Sequence, residues 1–77
     1  MVEAYVLIHA EGGRSAAVAD AVRKIPGARV ADVVTGPYDV VVRAEAADLD
    51  GLAKLIVAKV QAVVGVTRTL TCPVLHL

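Results

Sequence analysis

Val34-Thr35-Gly36-Pro37-Tyr38-Asp39-Val40-Val41-Val42 is the stretch that decides the fold. A β-branched run stops at Gly-Pro and restarts as a second β-branched run. That pattern predicts two antiparallel strands joined by a tight connection. A short apolar hairpin turns with Asn-Gly alone. An aromatic and an acid at the tip, Tyr38 and Asp39, point to a turn that holds something.

Working outward, Val2, Ala4, Val6, Ile8 and Ala10 recur at period two against Glu3, Tyr5, Leu7 and His9, which predicts a first strand with a half-apolar second face. Gly12-Gly13 breaks it. A helix from Arg14 or Ser15 to Lys24 follows, with Val18, Ala21 or Val22, and Ile25 in its stripe and Pro26-Gly27 at its end. Arg29–Thr35 and Asp39–Ala44 are the strands that flank the connection. Asp48 is a good N-cap for a second helix running to about Val64, with Leu49, Leu52, Ile56, Val60 and Val63 on one side. Gly65 ends that helix. Val66–Cys72 alternates Thr67, Thr69 and Thr71 with Val66, Arg68 and Leu70 as the last strand, and Pro73 confines that point to an edge or a strand end.

The order β-α-β-β-α-β predicts an α+β, ferredoxin-like fold: one four-stranded antiparallel sheet with both helices on one face. The 77 residues make a single domain. The composition is 57% hydrophobic with two tyrosines as its only aromatics, so the core is aliphatic. This is more apolar material than a small monomer hides. The helix-free sheet face, with Tyr5, Leu7 and the threonine row, is therefore expected to pack on a second copy.

Eight basic and eight acidic residues are interspersed, which leaves no clustered positive face for nucleic acid or a membrane surface. Cys72, the one cysteine, has no internal disulfide partner and is read as a small buried strand residue. A small chain without disulfides, signal peptide or membrane span is expected in the cytoplasm.

With the elements placed, the whole chain resembles a stand-alone effector-binding (RAM) domain of the Lrp/AsnC transcriptional regulator family. The residues that carry the resemblance are Val34 to Val40 on the hairpin, Gly65-Val66 and Thr67-Arg68-Thr69 on the last strand, and the spacing between them through Asp48-Leu49. Full-length members place a helix-turn-helix domain before this module. Residues 1–77 then read as the effector-binding domain alone, without a DNA-binding domain. The resemblance implies dimers through sheet faces, higher homo-oligomers, a small amino acid bound between subunits, and co-assembly with full-length Lrp/AsnC-type regulators.

An amino acid ligand needs a carboxylate or carbonyls for its ammonium and N–H or hydroxyl donors for its carboxylate. Asp39 supplies the negative group, Gly36 lets a ligand approach the backbone, and Tyr38 offers a ring wall. Thr69 and Thr71 offer hydroxyls, and Leu49 or Leu70 can touch the ligand side chain. Each also has a plain structural role: Asp39 as a turn acceptor, Gly36 as a turn former, the threonines as strand formers.

Gly12-Gly13-Arg14 lacks the spacing of a dinucleotide loop or a P-loop, and His9 and His76 lack ligand spacing for a metal, so no cofactor is expected. Two other functions stay open. One is a small dimeric ferredoxin-like barrel enzyme, of monooxygenase or isomerase type, with His9 as its acid–base group. The other is a structural adaptor without a ligand.

Overall fold

Alternation in the first strand sends Ala4, Val6 and Ile8 into the core and turns Tyr5 out to solvent. A computed structural model describes residues 1–77, with Leu55 described through its backbone alone. The elements are β1 (Val2–Ala10), α1 (Ser15–Arg23), β2 (Ala28–Val33), β3 (Val40–Ala46), a second helix α2 spanning 49–61, and β4 (Val66–Pro73). The sheet order is β2-β3-β1-β4, with β1 antiparallel to β3 and β4, and β2 antiparallel to β3. This is the expected ferredoxin-like βαββαβ arrangement.

Register decides which residues share a face. Ala4, Val6 and Ile8 stand opposite Ala44, Val42 and Val40, and Ala31 stands opposite Val42. All seven are buried, as are Val18, Ala19 and Val22 of α1 and Leu52, Ile56 and Val60 of α2. The core is therefore one aliphatic layer between the helices and one sheet face, with no buried polar side chain among the described residues. The opposite face carries Tyr5 and Leu7 of β1, Val41 and Arg43 of β3, and Leu70 and Cys72 of β4, matched pair by pair across the ladder.

Two expectations are corrected here. The threonine row is expected on the helix-free face, but Thr69 and Thr71 stand opposite Ile8 and Val6 and so lie on the helix side. Period two says which residues of a strand go together. It does not say which face they take until the register is known. Cys72 is exposed on the bare face rather than buried.

Local signals start α2 and stop α1. The Asp48 side chain accepts from the Gly51 amide at 2.7 Å, capping α2 as its position predicts. Beyond Leu49–Gly51 the helix widens to π geometry over Leu52–Val57 and returns to α geometry over Ala58–Gln61. After α1, Gly27 takes φ +96°, and its carbonyl accepts from Glu45 N–H at 2.8 Å. A Cβ at that position would sit 2.7 Å from the Glu45 carbonyl oxygen, so the chain can pass this close to β3 only without a side chain.

Candidate functional site

The connection between β2 and β3 is longer than the sequence suggests. The strands end at Val33 and begin at Val40, and residues 34–39 form a loop closed by Val34 N–H to Asp39 O at 2.9 Å. Pro37 has no N–H to give to a ladder. Gly36 sits at φ +149°, a conformation restricted to glycine, and a side chain there would meet nothing within 4 Å. The loop backbone is thus open to an approaching ligand at Gly36.

The loop is latched to the end of β1 at three points. Asp39 N–H donates to Ile8 O at 2.9 Å. Asp39 Oδ2 accepts from Ala10 N–H at 2.8 Å. The Tyr38 ring packs on the His9 ring with centroids 4.4 Å apart and planes tilted by 33°. The carboxylate accordingly has a structural task, and its Oδ1 makes no hydrogen bond among the described residues. The partners His9 and Ala10 lie about thirty residues away in sequence. No local signal pairs the Ala10 amide with Asp39.

The other expected site residues fall in three places. Thr69 stands beside this end of the sheet, opposite Ile8, and its Oγ1 accepts from Gln61 Nε2 at 3.1 Å. Gln61, Val66, Thr67, Arg68 and Thr69 line a hollow of about 390 Å³ between the end of α2 and β4. Leu70 and Thr71 continue along β4 on opposite faces, with Leu70 47% exposed. Leu49 lies at the other end. It follows β3 at the Val2 end of β1 and is 60% exposed rather than part of the buried helix stripe. The seven residue steps from Val2 to His9 span about 23 Å of strand, so one chain does not bring Leu49 to the hairpin.

The bare sheet face has its own electrostatics. Arg43 hydrogen-bonds Glu3 and the Tyr5 hydroxyl, and its guanidinium lies 5.7 Å from the Tyr5 ring centroid. The hydrogen bond to Glu3, helped by the charges of Glu3 and Tyr5, raises the Arg43 pKa above its ordinary value, so this group stays cationic. Arg29 pairs with Glu45 at 3.0 Å nearby. An apolar strip of Leu7, Val41 and Leu70 therefore runs beside a satisfied row of charges. Among the described residues no three His, Cys, Asp or Glu side chains cluster to hold a metal. Among the described residues no helix is long and apolar enough to cross a membrane.

A ferredoxin-like sheet with a latched, glycine-opened loop and one helix-free face defines a small α+β ligand-binding module. Similarity to known proteins gives the family. A sequence profile for the Lrp/AsnC ligand binding domain matches residues 3–77, and the chain belongs to this family. It is a regulatory ligand-binding module. No curated protein sequence matches it. Among solved structures it is similar to TTHA0845 from Thermus thermophilus, at 31% identity and a TM-score of 0.92, covering 100% of this chain and 96% of that one. It shares its fold with E. coli AsnC at 18% identity and a TM-score of 0.88, covering 97% of this chain and 51% of that one. The transcriptional regulator NMB0573 of Neisseria meningitidis, solved as an L-Met complex, matches at 19% identity and a TM-score of 0.82, covering 97% and 50% of the two chains. The chain thus spans about half the length of these two regulators.

Proposed function

We propose that the chain is an oligomeric sensor of small amino acids that acts on transcription through partner subunits, including full-length Lrp/AsnC-type regulators. The observation that carries this reading is the hairpin loop: Gly36 leaves its backbone open, while Asp39 is fixed through Oδ2 and keeps Oδ1 for a cation. Oδ1 would take the ligand ammonium, and Tyr38 would wall the ligand side chain. The L-Met complex of the Neisseria relative supports the ligand class.

Leu49 is at the far end of the chain's own sheet, and Thr69 and Thr71 lie on its helix side. Leu49 would therefore come from another copy, and the expected set is completed between subunits: hairpin residues from one, Leu49 from another. The bare sheet face supplies the surface on which copies pack. Control would follow from linkage: a ligand held between subunits favours the assembly that binds it, by its differential affinity alone.

The test is calorimetric titration with each of the twenty amino acids at up to millimolar concentration. Saturable binding of at least one, abolished in Asp39→Asn with assembly unchanged, is the expected result. Asparagine keeps an oxygen for the Ala10 amide and removes the charge. No binding by any amino acid refutes the sensor reading, and full affinity in Asp39→Asn refutes the role given to the carboxylate.

A further inference from the structure

The two edges of the sheet are treated differently. Strand order places β2 and β4 outermost. Along an antiparallel strand, successive residues aim their backbone groups to alternate sides. Val34 N–H is spent on the β3 side, so Ala31 and Val33 aim outward. There the Ala31 carbonyl is capped by the Arg23 guanidinium, through Nε at 3.1 Å and Nη2 at 2.6 Å. Asp20 holds that guanidinium in place at 2.7 Å. A cation seated on an edge carbonyl obstructs strand addition.

Among the described residues no such cap covers β4. Val74 N–H bonds Glu3 O at 2.9 Å, and Pro73, Cys72, Thr71 and Leu70 stand opposite Ala4, Tyr5, Val6 and Leu7. This phase turns the backbone of Leu70 and Cys72 to β1 and that of Thr69, Thr71 and Pro73 outward. Pro73 offers a carbonyl alone. On the other side the register slips between His9 and Ala10, which ends the regular ladder at Arg68. The uncapped edge is therefore short. It consists of the N–H and C=O of Thr69 and Thr71, bracketed by a bulge and a proline.

We infer that this edge is a self-association surface, on which β4 pairs antiparallel with β4 of a second copy about a two-fold axis at Leu70. In that register Thr69 opposes Thr71 of the second copy and the reverse, and every outward N–H and C=O of the two threonines is satisfied. Leu70, 47% exposed, meets its own symmetry mate. Threonine pairs and an apolar pair are favourable cross-strand neighbours. Shifting the axis to Thr71 faces the Thr69 carbonyl with the nitrogen of Pro73, which cannot donate. Shifting it to Thr69 runs Thr71 into the bulge. The free length of the edge and its composition thus select a second copy, in one register. The contact is distinct from face-to-face packing and stands without the ligand reading.

Disulfide trapping tests it. In a Cys72→Ser background, Thr69→Cys and Thr71→Cys chains are oxidised separately and as an equimolar mixture. Paired positions in this register have Cα atoms about 5.5 Å apart, within disulfide reach, whereas Thr69 is about 8–9 Å from its own symmetry mate. The expected product is almost entirely the mixed dimer, against the half that random collision gives. Both cysteines lie on the helix side, where face packing does not bring them together. Thr71→Pro, which removes an outward N–H and spares the ladder to β1, is expected to lower the assembly mass with circular dichroism unchanged. Absence of the mixed disulfide, or equal trapping of Thr71→Cys with itself, overturns the proposal. Adding Leu7→Asp removes the face contact, and the mixed disulfide is expected to survive it, so failure of the face contact is read separately.

Discussion

Replacing Asp39 with alanine removes the acceptor that ties the hairpin loop to β1. The lost bond is the Ala10 N–H to Oδ2 contact at 2.8 Å, half-buried and accepted by a carboxylate. Hydrogen bonds to charged groups contribute about 1.5–3 kcal/mol, and partial solvent access to the freed amide puts this one near the low end, about 1.5 kcal/mol. In a chain of 77 residues each kcal/mol moves the midpoint by about 4–8 °C, so Asp39→Ala is expected to melt about 6–12 °C lower. Asp39→Asn keeps an oxygen for Ala10 and should fall between the two. The assay is thermal and urea unfolding of the three proteins at matched protomer concentration, because assembly adds to apparent stability by mass action. Asp39→Ala within about 0.5 kcal/mol of the parent would refute the latch, since a bond of this kind costs more than that to lose.

Three further outcomes follow from the packing. Gly27→Ala places a Cβ 2.7 Å from the Glu45 carbonyl at φ +96°, and urea denaturation is expected to show a loss of about 1–3 kcal/mol. Ile8→Ala empties a fully buried site at the centre of the sheet and should cost about 2–5 kcal/mol, read as a lower urea midpoint at unchanged m-value. Asp48→Ala leaves the Gly51 amide without its cap and is expected to destabilise by about 1 kcal/mol, with loss of helical circular dichroism at 222 nm on mild heating.

The fold was legible because β1 alternates cleanly and because Pro26-Gly27, Gly36-Pro37 and Gly65 punctuate the chain where it turns. The family was legible from the hairpin and the last strand together. What escaped the sequence is what only register and distance create. The faces of Thr69 and Thr71 follow from their pairing with Ile8 and Val6, which no periodicity within β4 reveals. Leu49 fits the spacing of the α2 stripe, yet it sits in the first turn beyond the edge of the core, ahead of the segment where the helix widens. Asp39 showed itself as a turn acid, but its bond to Ala10 crosses 29 residues of sequence. The Arg23 cap on Ala31 is hidden for the same reason: α1 and β2 meet only in the folded sheet.

The central claim is that the helix-free sheet face is an interface between copies, and sedimentation velocity at micromolar concentration tests it most directly. The expected result is a particle of at least twice the 7.9 kDa chain mass, reduced in Leu7→Asp, whose new charge lies on that face while the core behind it is untouched. A parent protein that sediments as a folded 7.9 kDa monomer would contradict the claim.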